Sequence, residues 1–181
     1  MSGGWQLFAL LMVSSVACRP QSADIAPTDC VGAGSVGSDW RVLQSYETGM
    51  EMRHPAPYVL KDWSNVSNPE LGKTVELWLD DSPANSVAFA KTSDNNSRFS
   101  VKEEGPIYTC SVSLATGTWK VRTFTQYTSQ DGKTRRALFV VAARMVLSGD
   151  SLPIRFVGVS RNIVEQGTQI TMLRSFRRLA P

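Results

Sequence analysis

TWKVRTFTQYTSQDGKTRRALFVVAARMVL, residues 118–147, sets two strand-like runs, Thr118 to Thr128 and Thr134 to Leu147, on either side of Ser129-Gln130-Asp131-Gly132-Lys133. Asp-Gly between two such runs marks a β-hairpin, because glycine adopts the positive φ of a tight turn without steric cost. In the second run, Ala137-Leu138-Phe139-Val140-Val141-Ala142-Ala143 is apolar at every position. A strand with one face in water would alternate, so this one is expected at the centre of a sheet covered on both faces. Helices or a second sheet must supply that cover.

Downstream, Ser148-Gly149-Asp150 makes a turn into a further strand, Ile154 to Val159. A helix is then expected from Asn162 to Arg178, with Asn162 as N-cap and Glu165 three residues on, a variant of the capping box. Ile163, Ile170, Leu173 and Phe176 supply its sheet-facing stripe, interrupted by Gly167. Arg174, Arg177 and Arg178 fall in its last turns, where cations complement the helix dipole. Upstream, short strands are expected at Trp40 to Leu43, Met50 to Arg53, Thr74 to Leu79 and Ser86 to Ala90, broken by turns around Pro55, Pro57, Pro69 and Pro83. Thr74 to Leu79 alternates, with Val75, Leu77 and Leu79 on one face, as suits a half-buried strand. Residues 92–106 read as a long polar loop and a contact region, followed by strand from Ile107 to Leu114.

The pieces Gly117-Thr118-Trp119, Asp131-Gly132-Lys133, the strands up to Ser160 and the closing Ser175-Phe176-Arg177 resemble the C-terminal half of the PsbP-like fold. Met50-Glu51-Met52-Arg53-His54-Pro55 resembles that family's early strand, with Trp63 as counterpart of its following tryptophan. The family includes photosystem accessory proteins, secretion chaperones and LpqN-type envelope lipoproteins. The resemblance implies an α+β fold, an antiparallel sheet with a C-terminal helix packed on it, and a non-catalytic binding or accessory role with no catalytic residue to carry over. The family's middle helix has no counterpart in residues 92–116, which leaves a β-sandwich with one C-terminal helix as the alternative.

At the start of the chain, the apolar run Leu7 to Val13 leads through Ser14-Ser15-Val16-Ala17 to Cys18. Such a run is too short to span a bilayer and has the length of a signal-peptide core, so residues 1–17 are read as an export signal outside the fold. A cysteine at the first mature position resembles the lipobox of bacterial lipoproteins, which implies lipidation at Cys18. Small residues Ser15 and Ala17 equally permit ordinary signal peptidase cleavage, giving a secreted soluble protein. Residues 18–38, with Pro20, Pro27 and three glycines, read as a flexible tether. Residues 39–181 then form a single α+β domain, large enough for a real core.

Three cysteines leave an odd one unless one is consumed elsewhere. With Cys18 lipidated, Cys30 and Cys110 remain, and in an oxidising compartment they pair as a disulfide. Two unpaired thiols, or a Cys30 available to a partner, are the other readings. The lack of a Cys-x-x-Cys spacing gives no support to a thioredoxin-like site or a zinc knuckle.

Composition, at 42% hydrophobic and 19% charged residues, is that of a folded globule. The net charge of +3 hides an asymmetry: up to residue 90 there are 5 basic and 10 acidic residues, and from 91 onward 14 basic and 6 acidic. Either the acidic half folds against the basic half, or a basic surface faces phospholipid headgroups, lipopolysaccharide or an acidic protein. Nucleic acid is a poor partner for an exported chain without a finger or RNP-like motif.

Motifs that suggest catalysis or cofactors fail on context. Gly32-Ala33-Gly34-Ser35-Val36-Gly37 matches G-x-G-x-x-G, yet no strand precedes it and no helix follows. Gly72-Lys73-Thr74 and Gly132-Lys133-Thr134 lack the first glycine of a P-loop, and Ser93-Asp94-Asn95 stands without an S-x-x-K partner. His54 is the sole histidine, which rules out multi-histidine zinc sites and leaves one candidate imidazole base. Asp80-Asp81 and Glu103-Glu104 read as solvated turns rather than calcium or acid/base pairs. Asn65-Val66-Ser67 and Asn95-Asn96-Ser97 are glycosylation sequons in a eukaryotic setting. Trp40, Tyr58, Trp63 and Trp78 serve either the core or a glycan or protein surface.

The chain is therefore expected to be an exported, lipid-anchored envelope protein, without enzymatic activity, cofactor or metal, that binds an envelope protein or polymer. Arg135, Arg136 and Arg144 with Asn95 and Asn96 are the candidate binding residues. Two alternatives stand beside it: an inhibitor or immunity-type protein capping a toxin or lytic enzyme, and an envelope hydrolase whose site is not recognised.

Overall fold

A computed structural model describes Cys30 and residues 34–63, 74–93, 99–129 and 135–179. Its strands are β1 (Arg41–Ser45), β2 (Met50–His54), β3 (Val59–Trp63), β4 (Thr74–Leu79), β5 (Ser82–Lys91), β6 (Glu104–Leu114), β7 (Gly117–Ser129), β8 (Arg135–Met145), β9 (Ile154–Ser160) and β10 (Arg177–Arg178), with one helix, α1 (Ile163–Arg174). Seven strands form an antiparallel sheet in the order β3-β4-β5-β9-β8-β7-β6, and β1-β2-β10 form a smaller one. The fold is α+β, with a single C-terminal helix packed on antiparallel sheet.

The hairpin of residues 118–147 organises this arrangement. β7 and β8 pair from Lys120↔Arg144 to Ser129↔Arg135, a register symmetric about position 132. β8 lies inside the sheet between β7 and β9, and its apolar run feeds two cores. Val141, Ala143 and Met145 face α1, together with Leu77, Phe89, Trp119, Val121 and Phe156. Ile170, Met172, Leu173 and Phe176 pack on them, as do Met50 and Met52 of the smaller sheet. Phe176 meets Phe89, Trp119 and Phe156 edge-on at centroid distances of 5.1, 5.2 and 6.1 Å. Each such pair contributes about 0.5–1.5 kcal/mol beyond its buried area. On the outer face, Val140 and Ala142 join Ala88, Ala90, Phe124 and Val157 beneath Phe99, which is 1% exposed.

The helix begins as its sequence indicates: Asn162 Oδ1 accepts from the Glu165 backbone N–H at 2.8 Å. It ends at Arg174, four residues short of the expected Arg178. Ser175 stops it by leaving the helix for β2: its hydroxyl accepts from the Arg53 N–H at 2.8 Å and lies 2.6 Å from the Met172 carbonyl. Arg177 and Arg178 consequently belong to a strand paired with Glu51 and Met50 rather than to a last helical turn. Only Arg174 of the three arginines stands at the helix terminus. The buried stripe also differs, since Gln166 and Gln169 are fully buried beside Ile170 and Leu173 while Val164 is exposed.

Of the expected tether, Cys30 and residues 34–38 are described, and both ends of that piece are attached to the domain. Thr171 Oγ1 donates to the Gly34 carbonyl at 3.2 Å, Arg174 donates to the Cys30 carbonyl, and Cys30 is 3% exposed. This portion is thus part of the body, held by backbone carbonyls that take donors from α1. A disulfide joins Cys30 to Cys110 of β6 across a separation of 80 residues, with Cα atoms 6.1 Å apart. Residues 1–29, including Cys18 and the expected export signal, lie outside the described residues.

Candidate functional site

The outer face of the large sheet carries an arrangement that strand pairing would not favour by itself. In the aligned registers, Lys120 of β7 stands opposite Arg144 of β8, and Arg144 opposite Arg155 of β9. Three cations thus occupy one row across three adjacent strands. Directly opposed side chains sit about 5 Å apart at Cβ, and like charges there are destabilising. Arg122, two residues along β7, adds a fourth cation on the same face, because side chains two apart on a strand share a face.

These residues line a shallow cavity of about 270 Å³ whose apolar lining includes Ala142 and Val157. Ala142 leaves open space between the longer side chains. Two of the arginines are held in place from the side. Arg155 donates to the Phe99 carbonyl at 3.1 Å and stacks over the Phe99 ring at 5.7 Å, and Arg122 is paired with Glu103. Lys120 has no ion pair among the described residues. The segment after residue 98 therefore borders the basic row and steadies it.

The chain's charge asymmetry survives folding at this place. Of the ion pairs described, Arg177–Glu51 joins the basic half to the acidic half, whereas Lys91–Asp150, Lys102–Glu104 and Arg122–Glu103 lie within the basic half.

Neither a protein-family profile nor a curated protein matches the chain. Among solved structures, the Ran-binding protein Mog1p of Saccharomyces cerevisiae aligns with a TM-score of 0.48 at 9% identity, over 77% of this chain and 95% of that one.

The candidate residues read from sequence are distributed as follows. Arg144 belongs to the basic row. Arg136 lies on the same strand and face, but eight residues away, about 26 Å at the usual rise. There it lines a separate cavity of about 310 Å³ with Thr128, Leu138 and Arg161. Arg135 opens β8 opposite Ser129, and its side chain is outside the described residues. Asn95 and Asn96 are also outside them. Lys120, Arg122 and Arg155 were not among the candidates. Their signal was present in part, since a hairpin centred on Gly132 places Lys120 opposite Arg144; Arg155 required the pairing of β8 with β9.

The other singled-out residues have structural partners. His54 is 7% exposed, with Nδ1 2.9 Å from the Pro55 carbonyl oxygen. Burial holds its imidazole below the ordinary value, the nearby Arg41 cation adding to this and the Pro55 bond opposing it. Asp80 and Asp81 form the β4–β5 turn with φ of 58° and 52°, the left-handed region that short polar residues tolerate. Tyr58 is buried and donates to Glu165 at 3.3 Å, and burial raises its phenol well above the ordinary range. Trp78 donates to Glu76, and Trp40 packs against the inner core. Among the described residues no cluster of three His, Cys, Asp or Glu side chains forms a metal site, and no helix is long and apolar enough to cross a membrane.

Proposed function

We propose that the chain is an exported, lipid-anchored envelope protein whose domain acts as a non-catalytic binding module. The observation that carries this reading is the Cys30–Cys110 disulfide, which closes an 80-residue span and pins the start of the mature chain to β6. Disulfides of this kind persist in oxidising compartments outside the cytosol. With Cys30 and Cys110 joined, Cys18 is the remaining cysteine, and it follows directly on the apolar leader. The sole imidazole supports a binding role as well, since His54 is buried against its neighbour's carbonyl.

Intact mass of the protein purified from membranes, before and after reduction and alkylation, tests the proposal. The expected mass is that of residues 18–181 with diacylglycerol and acyl groups on Cys18, two thiols appearing only on reduction. An unmodified Cys18 terminus, or an uncut start, would overturn the anchor.

A further inference from the structure

We propose that Lys120, Arg122, Arg144 and Arg155 form a binding site for the phosphate groups of an anionic polymer. This deepens the binding-module reading and rests on it for the envelope setting, while the chemistry rests on the sheet itself. Three like charges in one cross-strand row work against the pairing of β7, β8 and β9, and an anion seated among them removes that opposition. The cavity gives the anion a place, with Ala142 and Val157 leaving room between the cations.

Phosphate fits this set better than a lone carboxylate. One guanidinium fork satisfies a carboxylate, whereas a phosphate presents several charged oxygens in different directions and takes donors from more than one cation. The row spans about 10 Å across three strands at the usual spacing, wide enough for two neighbouring phosphate groups. Arg155 and Arg122 are already held, by Phe99 and Glu103, so less side-chain freedom is lost on binding. A polymer suits the surroundings better than a bilayer: Glu103 is paired with Arg122 beside the row, and a flat anionic membrane would meet it together with the cations.

The test is titration of the purified Cys18→Ser chain, which cannot carry lipid, with inorganic pyrophosphate at physiological ionic strength, followed by calorimetry and thermal melting. Saturable binding is expected, weakened about tenfold or more by Lys120→Gln or Arg144→Gln and unchanged by Arg136→Gln on the same strand. Without ligand, Lys120→Gln should melt at or above the parent temperature, because repulsion has been relieved. Absence of saturable binding would overturn the site, as would equal weakening by Arg136→Gln, which signals diffuse charge. A fall in melting temperature of unliganded Lys120→Gln would show that the row serves stability instead. Stronger binding to a poly-glutamate peptide, or to phosphatidylglycerol vesicles over phosphatidylcholine ones, lost in the same variants, would replace the polymer by an acidic protein or a membrane. Because the Cys18→Ser chain is used throughout, these outcomes are independent of whether the anchor exists.

Discussion

Gln169 of α1 lies directly on Gly158 of β9: a Cβ at position 158 would stand 2.8 Å from the Gln169 Cδ. The amide cannot simply turn away, because its Nε2 donates to the Val159 carbonyl at 2.8 Å and to the Ser86 carbonyl at 3.3 Å. Gly158→Ala should therefore destabilise the domain by about 1–3 kcal/mol, the usual range for overpacking a core. Urea unfolding would show the midpoint falling at constant slope. A Gly158→Ala/Gln169→Ala double variant should lose less than the sum of the single changes, since the clash is then gone. Additive losses would place the strain elsewhere.

That contact explains why the sheet was more legible than the helix. The hairpin announced itself through Asp131-Gly132 and the unbroken apolar run of β8, both local signals tied to backbone geometry. For α1, the sequence offers an apolar stripe through Ile163, Ile170, Leu173 and Phe176, but the buried face also uses Gln166 and Gln169. Their amides take up carbonyls of Val140, Ser86 and Val159, partners that exist only once the helix has docked. Hydrophobic periodicity is blind to such residues. The helix terminus was hidden for a related reason. Phe176 keeps helical spacing from Leu173, while the stop depends on Ser175 meeting Arg53, 122 residues away. In the basic row, Lys120, Arg122 and Arg144 follow from hairpin symmetry, and Arg155 alone from the order of strands.

Reducing the Cys30–Cys110 link should destabilise the domain by about 4 kcal/mol, the chain-entropy value for an 80-residue loop. Cys110→Ala should melt lower than the oxidised parent, and reductant should lower the parent's melting temperature but leave the variant unmoved. If reductant left the parent unchanged, the bridge would not contribute to stability. Release of Cys30 should also loosen its contact with Arg174, read as faster hydrogen exchange near residue 30.

Acid should weaken the fold through His54. Its folded-state pKa lies below the ordinary 6.5, so the unfolded chain takes up the proton more readily. The stabilisation is fully present above about pH 6.5 and is lost as pH falls through the folded-state value. Melting temperature should therefore drop between about pH 7 and 5, and His54→Gln should flatten that slope, whereas the Glu51 carboxyl, held below its ordinary 4.5 by Gln44 and Arg177, acts only at lower pH. Burial of His54 alongside β1, where Arg41 pairs opposite it, sets the direction. Identical slopes in the two proteins would remove His54 from the account.

Trp119 is fully buried between Phe156 and Phe176, and its Nε1 has no hydrogen-bond partner among the described residues. A buried, unsatisfied donor costs about 1–3 kcal/mol, which offsets part of what the indole gains by filling the core. Trp119→Phe keeps the edge-on ring contacts and drops the orphaned N–H, so it should cost less than about 1.5 kcal/mol despite the lost volume. Trp119→Ala removes the ring and leaves a cavity beside Phe176, and should cost about 3–5 kcal/mol. Urea unfolding of the two variants separates these terms. Were phenylalanine as damaging as alanine, the indole N–H would have to be bonded, and a buried water at Nε1 would be the group to look for.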